Sequence, residues 1–216
     1  MPNSQRTALT RMPERGSDDW RRVAAILDAG FLASVGFSVE HQPYVIPMIY
    51  GRVDRSLLLH GSSASRLLGE LEKGVPACVC VTLVDGLVLA RSAFNHSMNY
   101  RSVVAFGVAR PICDARAKIN ALRQISDHLL AGRWNDVRRP NRDEIRRTTV
   151  LELPIEEACS KIRQGPPIDD KPDYDHPAWA GVLPLTLGAA APEPDDHLGK
   201  DVELPNYLRE GGRFGA

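Results

Sequence analysis

A mainly β chain with inserted helices, an α+β fold built on an antiparallel barrel, is what this sequence predicts. Three observations carry that expectation. Short runs rich in β-branched residues follow one another at meander spacing over Phe31 to Phe37, Gln42 to Val53 and Ser56 to His60. Helical periodicity is confined to a few segments between such runs, with no βαβ alternation and no internal repeat, so a doubly wound sheet does not fit. At 216 residues, 43% apolar and 25% charged, the chain fills one core, and two full domains would strain the usual size range.

In chain order, Ser17 to Gly30 reads as the first helix. Ser17 caps it, Asp18 and Asp19 complement its positive end, Gly30 suits the position past its end, and Val23, Ile26 and Leu27 share one face. Pro43 and Pro47 remove backbone donors from the second β-run, which puts that strand at an edge, gives it a bulge, or leaves a face open for a ligand. Ser65 to Lys73 reads as a short helix with Ser62 or Ser63 as its cap. The apolar stretch Ala77 to Ala93 is interrupted by Asp85-Gly86, a pair favoured in two-residue turns, and is read as a hairpin of two strands. Arg101 to Cys113 is the next β-like run. Ile119, Leu122, Ile125 and Leu129 then mark a helix that ends near Gly132. A final strand, Thr148 to Ile155, leads to Lys161 to Pro167 and a Pro-rich stretch. Residues 1–186 form the expected domain. From Leu187 onward Ala, Pro, Gly and Asp dominate, so 187–216 reads as a loosely ordered tail or as an arm for a partner subunit.

The 27 Lys and Arg balance 27 Asp and Glu, so long-range attraction recruits neither nucleic acid nor an anionic membrane. The segment Met1 to Arg15 is polar and carries charges of both signs, which makes the cytoplasm the expected compartment and no membrane the expectation. Cys78, Cys80, Cys113 and Cys159 have neither C-x-x-C spacing nor the density of a disulfide scaffold, and Cys78 and Cys80, in an apolar run, read as small buried hydrophobes. The P-loop, the G-x-G-x-x-G turn, the G-x-S-x-G elbow and H-E-x-x-H are all missing from the sequence. His60, His96 and His128 lack carboxylate partners at ligand spacing, and no metal site is assigned.

Two segments concentrate polar chemistry. His60-Gly-Ser-Ser-Ala-Ser-Arg66 joins a strand to a helix, where amides, the hydroxyls of Ser62, Ser63 and Ser65, and the Arg66 guanidinium suit an anion. A capped turn with an exposed Arg is the other reading. Arg91 to Val103 packs two Arg, a His, two Asn and a Tyr between apolar strands with no acid among them. It reads as part of a site for an anionic or strongly polar ligand, or as a polar surface loop.

Together with Gln42-Pro-Tyr-Val-Ile-Pro47, Asp85 to Ser92, His96 to Val103 and Lys161-Ile-Arg-Gln-Gly-Pro-Pro167, these segments stand in one order. In that order the chain, from about Arg11 to Pro184, resembles the pyridoxamine 5′-phosphate oxidase-like flavoproteins, on the branch that includes the nitroimidazole-resistance proteins. The resemblance implies a split β-barrel of the FMN-binding type, a homodimer with FMN at its interface. It implies that Val45, Ile46, Pro47 and Met48 lie along the flavin ring and that Ser65 and Arg66 grip its phosphate. It further implies that Asn99, Tyr100, Arg101 and Ser102 complete the site, with Lys161 and Arg163 adding positive charge. His60 and His96 are the candidate proton donors, and His60 and Ser62 also border the expected cofactor. Trp179 either stacks on the flavin or fills the rim of the core. The sequence departs from the family at Asn95, where many relatives carry a second His, and it lacks the Arg-rich C-terminal stretch of the vitamin B6 enzymes. The expected activity is FMN-dependent electron transfer from a nicotinamide reductant to a small acceptor, a nitroaromatic compound among the candidates. The alternatives are a flavin-binding protein without turnover, and a barrel that holds haem or another phosphorylated ligand.

Overall fold

The computed structural model describes residues 5–215, so the first four residues of the polar N-terminal segment and Ala216 lie outside the described residues. The elements are β1 (Gly16–Ser17), α1 (Trp20–Ala29), β2 (Leu32–Val39), β3 (Gln42–Ile49), β4 (Gly51–Val53), β5 (Ser56–Ser62) and α2 (Arg66–Glu72). They continue with β6 (Pro76–Leu89), β7 (Ser97–Val108), β8 (Arg110–Pro111), α3 (Ala115–Leu129), α4 (Arg133–Asp136) and α5 (Arg142–Arg146). The remainder is β9 (Thr148–Pro154), β10 (Glu157–Arg163), β11 (Gly181–Pro184) and α6 (Asn206–Arg209).

Every strand pairing is antiparallel. One seven-stranded sheet runs β1-β10-β7-β6-β2-β3, with β11 added alongside β6, and a four-stranded sheet runs β4-β5-β9-β8. Neither sheet closes into a barrel, so the architecture is a mixed α+β fold of antiparallel sheets. The core lies between them: Val35, Val79, Val81 and Val103 of the larger sheet meet Leu57, Leu59, Leu151 and Leu153 of the smaller one, with Val23, Ile26 and Leu27 of α1 packed in. On the other face of the smaller sheet, Leu58 and Val150 pack against Ala121 and Ile125 of α3. Period-two alternation explains why Leu57 and Leu59 enter one cluster and Leu58 the other.

The structure corrects several local expectations. The α1 cap is Asp19, which accepts from the Arg21 amide, while Ser17 sits in β1. Gly30 follows α1 with an extended backbone, φ −83°, and is needed for space: a Cβ there would lie 2.5 Å from Val81 Cγ1 and 2.8 Å from Tyr50 Oη. Ser65, not Ser62 or Ser63, caps α2 by accepting from the Leu68 amide. Asp85-Gly86 makes no hairpin, because β6 runs through it and pairs with β7 from Pro76↔Val108 to Val88↔Ser97, with a bulge between Val84 and Gly86. The ladder on both sides outweighs the local turn preference, and the extra residue is absorbed as a bulge. β3 is an edge strand, the first of the three placements that Pro43 and Pro47 left open.

Three separate parts of the chain finish the C-terminal end of α1. Tyr50 Oη donates to the Leu27 carbonyl at 2.6 Å, and His128 Nε2 lies 2.8 Å from the Gly30 carbonyl. Arg213 donates to the carbonyls of Asp28 (2.7 Å), Gly30 (3.0 Å) and His128. Phe214 sets its ring edge-on to Phe31 with centroids 5.2 Å apart. The stretch after Leu187 is largely exposed, but its far end is therefore anchored through these contacts and through α6.

Val39 pairs with Gln42, so the β2–β3 turn has two central residues, Glu40 and His41, both with positive φ (49° and 65°). Such a turn favours Asn-Gly, and a residue with a Cβ in the left-handed region costs about 1–2 kcal/mol. Replacing His41 with Gly is expected to stabilise the protein by about 0.5–1 kcal/mol after glycine's own entropy cost. A urea midpoint that falls in His41→Gly would show that the turn carries no such strain.

Candidate functional site

Most of the sequence-predicted residues fall into two clusters on one molecule, with His60, His96 and Trp179 outside them. The first is built by β3 and the β5–α2 junction. β3 has a neighbour on one side only, and its free edge presents unpaired backbone groups next to exposed Val45 (66%) and Ile46 (40%), with Pro47 exposed and Met48 half-buried. Arg66, the first residue of α2, reaches back to β3, with its guanidinium 5.6 Å from the centre of the Tyr44 ring. No carboxylate pairs with Arg66 among the described residues.

The turn between them is mostly self-satisfied. The Ser63 amide donates to the Arg147 carbonyl (2.9 Å), the Ala64 amide to Ser62 Oγ (3.2 Å) and the Ser65 amide to the Ser62 carbonyl (2.9 Å). These three amides are therefore spent, contrary to the picture of free amides waiting for an anion. What remains is the hydroxyls of Ser62 and Ser65, which accept from backbone amides yet keep their own protons to donate, and the cation of Arg66.

His60 is half-buried and takes the Leu58 side of β5, facing the α3 layer. Its Nδ1 is buried without a hydrogen-bond partner, and burial pushes its pKa down, so the ring is neutral at pH 7. A neutral imidazole is a weak proton donor.

The second cluster lies on β7 and β10, three and four strand spacings from β3, or roughly 14–19 Å across the sheet. Register places Arg163 opposite Tyr100 and Lys161 opposite Ser102. Several of its polar groups are already partnered. Buried Arg163 donates to the Asn99 side chain and to the carbonyls of Gly165 (2.8 Å) and Pro166 (3.1 Å). Arg101 forms a two-pronged pair with the Asp85 carboxylate at 2.9 and 2.7 Å, and that contact raises its pKa. Lys161 Nζ donates to the Arg11 carbonyl at 3.3 Å.

The acids missing from Arg91 to Val103 thus come from elsewhere: Asp85 from the β6 bulge, and Asp169 from beyond β10. Asp169, fully buried as a side chain, accepts from the Arg91 amide (3.0 Å), the Ser92 amide (3.3 Å) and the Arg91 guanidinium (3.1 Å). Sequence reasoning missed Asp85, Asp169 and Tyr44, because their partners are set by tertiary contact; Asp169 and Arg91 stand 78 residues apart.

Beyond this cluster an apolar row crosses three strands, with Leu183 of β11 opposite Leu87 of β6 and Leu87 opposite Met98 of β7. All three are at least 40% exposed. His96, exposed, stands two residues before Met98 with Nε2 at 3.1 Å from the Ala90 carbonyl. Trp179 is 68% exposed, and its ring lies beside Gly181, where a Cβ would come within 2.8 Å of it.

A sequence model described as pyridoxamine 5′-phosphate oxidase matches residues 19–162, which spans both clusters apart from Arg163. The chain belongs to the pyridoxamine 5′-phosphate oxidase-like family. Within it, the flavocytochrome Anf3 from Azotobacter vinelandii is 41% identical over 96% of this chain and 97% of its own, with a TM-score of 0.89. A FAD and heme binding protein from Mycobacterium smegmatis is 34% identical over 92% of this chain and 97% of its own, with a TM-score of 0.87. A putative 5-nitroimidazole antibiotic resistance protein from Bacteroides thetaiotaomicron shares the fold at 24% identity over 68% of this chain and 86% of its own, with a TM-score of 0.58. No curated protein matches the chain. Among the described residues no helix is long and apolar enough to cross a membrane.

The Asp169 contacts give this family member a pH-dependent fastening. Burial by itself would raise the Asp169 carboxyl, but the Arg91 and Ser92 amides and the Arg91 guanidinium outweigh it and hold it below the usual carboxylate range. Its stabilising contribution is present above the unfolded value of about 3.9 and is lost as pH falls through the lower folded value. Asp169→Asn should lower the urea midpoint at pH 7 and flatten the acid limb of stability against pH. Parallel acid limbs for the two proteins would contradict this role.

Proposed function

We propose that this protein is a flavin- and haem-binding oxidoreductase, with FAD as its flavin. The observation that carries the reading is the β3 edge beside the Ser62–Arg66 turn: exposed Val45 and Ile46 on its two faces, open backbone groups, and a cation with no carboxylate partner among the described residues. The edge suits the flavin ring and its polar rim, and Ser62, Ser65 and Arg66 suit the phosphate. The two relatives similar over nearly the whole chain, described as a flavocytochrome and as a FAD and heme binding protein, support the pairing with haem. The row of Leu87, Met98 and Leu183 fits a flat apolar macrocycle, and His96 is the imidazole nearest to it in sequence. When bound, these groups supply the electron chemistry. The chain's residues bind and orient them, and neutral His60 moves no proton in this reading.

FMN is the second reading, favoured by the single compact cationic turn, which suits one phosphate. In either case we propose a homodimer with a split-barrel arrangement of the two sheets. The β3 cluster and the β7–β10 cluster are too far apart in one molecule to enclose a flavin ring, and a two-fold axis would have to bring one protomer's β3 to its partner's second cluster. Electrons would pass from a reductant, nicotinamide nucleotides being the first to test, to a small acceptor; a storage or sensing protein would bind the flavin without turnover.

The protein purified with its cofactors is expected to show flavin bands near 370 and 450 nm together with a Soret band, to release FAD on denaturation, and to sediment as a dimer. A flavin spectrum with no Soret band and FMN as the released species would replace the first reading with the second. Arg66→Ala is expected to weaken flavin nucleotide binding by about 1.5–3 kcal/mol, the scale of one charge-assisted contact, with riboflavin barely affected. Equal losses for the nucleotide and for riboflavin would remove Arg66 from the phosphate.

A further inference from the structure

The chain after Leu187 returns to the body at Phe214, whose carbonyl accepts from the Ala189 amide at 3.3 Å, so residues 189–214 form a closed loop over the C-terminal half of α3. Under the loop lies a cleft of about 360 Å³. Small-molecule sites occupy roughly 300–1,000 Å³, so the cleft falls within that range. Its walls are Leu129 and Leu130 on the α3 side and Pro192, Leu208 and Phe214 on the loop side, with Ala189, Ala190 and Gly211 where larger residues would have filled the space. Apolar walls facing each other across a gap lose packing and order water, a cost that an apolar occupant removes.

Arg133 is the charged residue of the lining. Its guanidinium donates to Tyr207 Oη at 3.4 Å, and that hydroxyl donates in turn to Asp136 at 2.6 Å. No carboxylate pairs directly with Arg133 among the described residues. Arg213, the neighbour of Phe214, brings a second cation that, among the described residues, donates to backbone carbonyls and offsets the negative end of α3. Apolar walls with a cation at the rim define the occupant by charge complementarity.

We propose that this cleft binds an amphipathic monocarboxylate, its alkyl or aryl body between α3 and the terminal loop and its carboxylate on Arg133. The site is separate from the residues assigned to the flavin, and it stands whether or not that assignment holds. It would let a small organic acid tighten the loop that carries Arg213, and through it the end of α1.

Titration of the full-length holoprotein with octanoate, followed by calorimetry and by the fluorescence of neighbouring Trp134, tests the proposal. Saturable binding with a Kd of about 0.1–1 mM is expected, with octylammonium failing to bind. Arg133→Gln should weaken octanoate about tenfold and leave 1-octanol unchanged, and Ala190→Phe, which fills the cleft, should abolish both. Circular dichroism and the retained cofactor spectrum verify that each variant is folded. No saturable octanoate binding, or equal octanoate affinity in the wild type and in a folded Arg133→Gln, overturns the proposal. Undiminished binding in a folded Ala190→Phe overturns it as well, since the ligand would then sit elsewhere.

Discussion

The β6–β7 ladder is the constraint on which the rest of the structure depends. It runs from Pro76↔Val108 to Val88↔Ser97 through the middle of the larger sheet, and β2, β10 and β11 all attach to one of its two strands. Because the ladder is continuous, its one irregularity is useful. The bulge lifts Asp85 out of the pairing and turns its carboxylate onto Arg101, while Gly86 lets β11 approach so closely that a Cβ would lie 2.9 Å from the Leu183 carbonyl. The order of the second cluster therefore comes from backbone register rather than from side-chain contacts alone.

The two clusters differ in how much freedom they keep. In the β7–β10 cluster Asn99, Arg101 and Arg163 are tied to one another, to Asp85 or to carbonyls, so a ligand would meet a preset surface. In the β3 cluster the Arg66 cation rests over Tyr44 and pairs with no acid among the described residues, so an anion there would displace none of them. In the proposed dimer the preset cluster would hold a flat ring by its face and the Arg66 cation would hold a phosphate by its charge.

Much of this was legible in the sequence. The apolar spacing of α1 and α3 gave both helices, the two prolines of β3 gave the edge as one of three placements, and the ordered motifs gave the family. The failures have physical causes. Asp85-Gly86 has the local chemistry of a turn, but a ladder of many bonds on either side of it prevails over a preference between two residues. β10 was missed because Glu157, Ser160, Lys161 and Arg163 look solvent-facing, whereas Glu157, Ser160 and Arg163 are buried, Arg163 with its bonds satisfied by Asn99 and backbone carbonyls. β11 was missed because its four residues carry little pattern. Counting acids only within Arg91 to Val103 hid the partners that Asp85 and Asp169 supply.

The completion of α1 has a bearing on how the protein is made. The carbonyl of Asp28 is met by Arg213, 185 residues further along the chain. During synthesis the first helix and the strands around it can form while that carbonyl faces only water, because its partner has not yet left the ribosome. Tyr50 and then His128 arrive earlier and hold the helix end in the interim. The nascent chain should thus pass through a state with a fastened but incompletely capped α1, in which Leu129 and Leu130 at the end of α3 stay uncovered until residue 213 emerges.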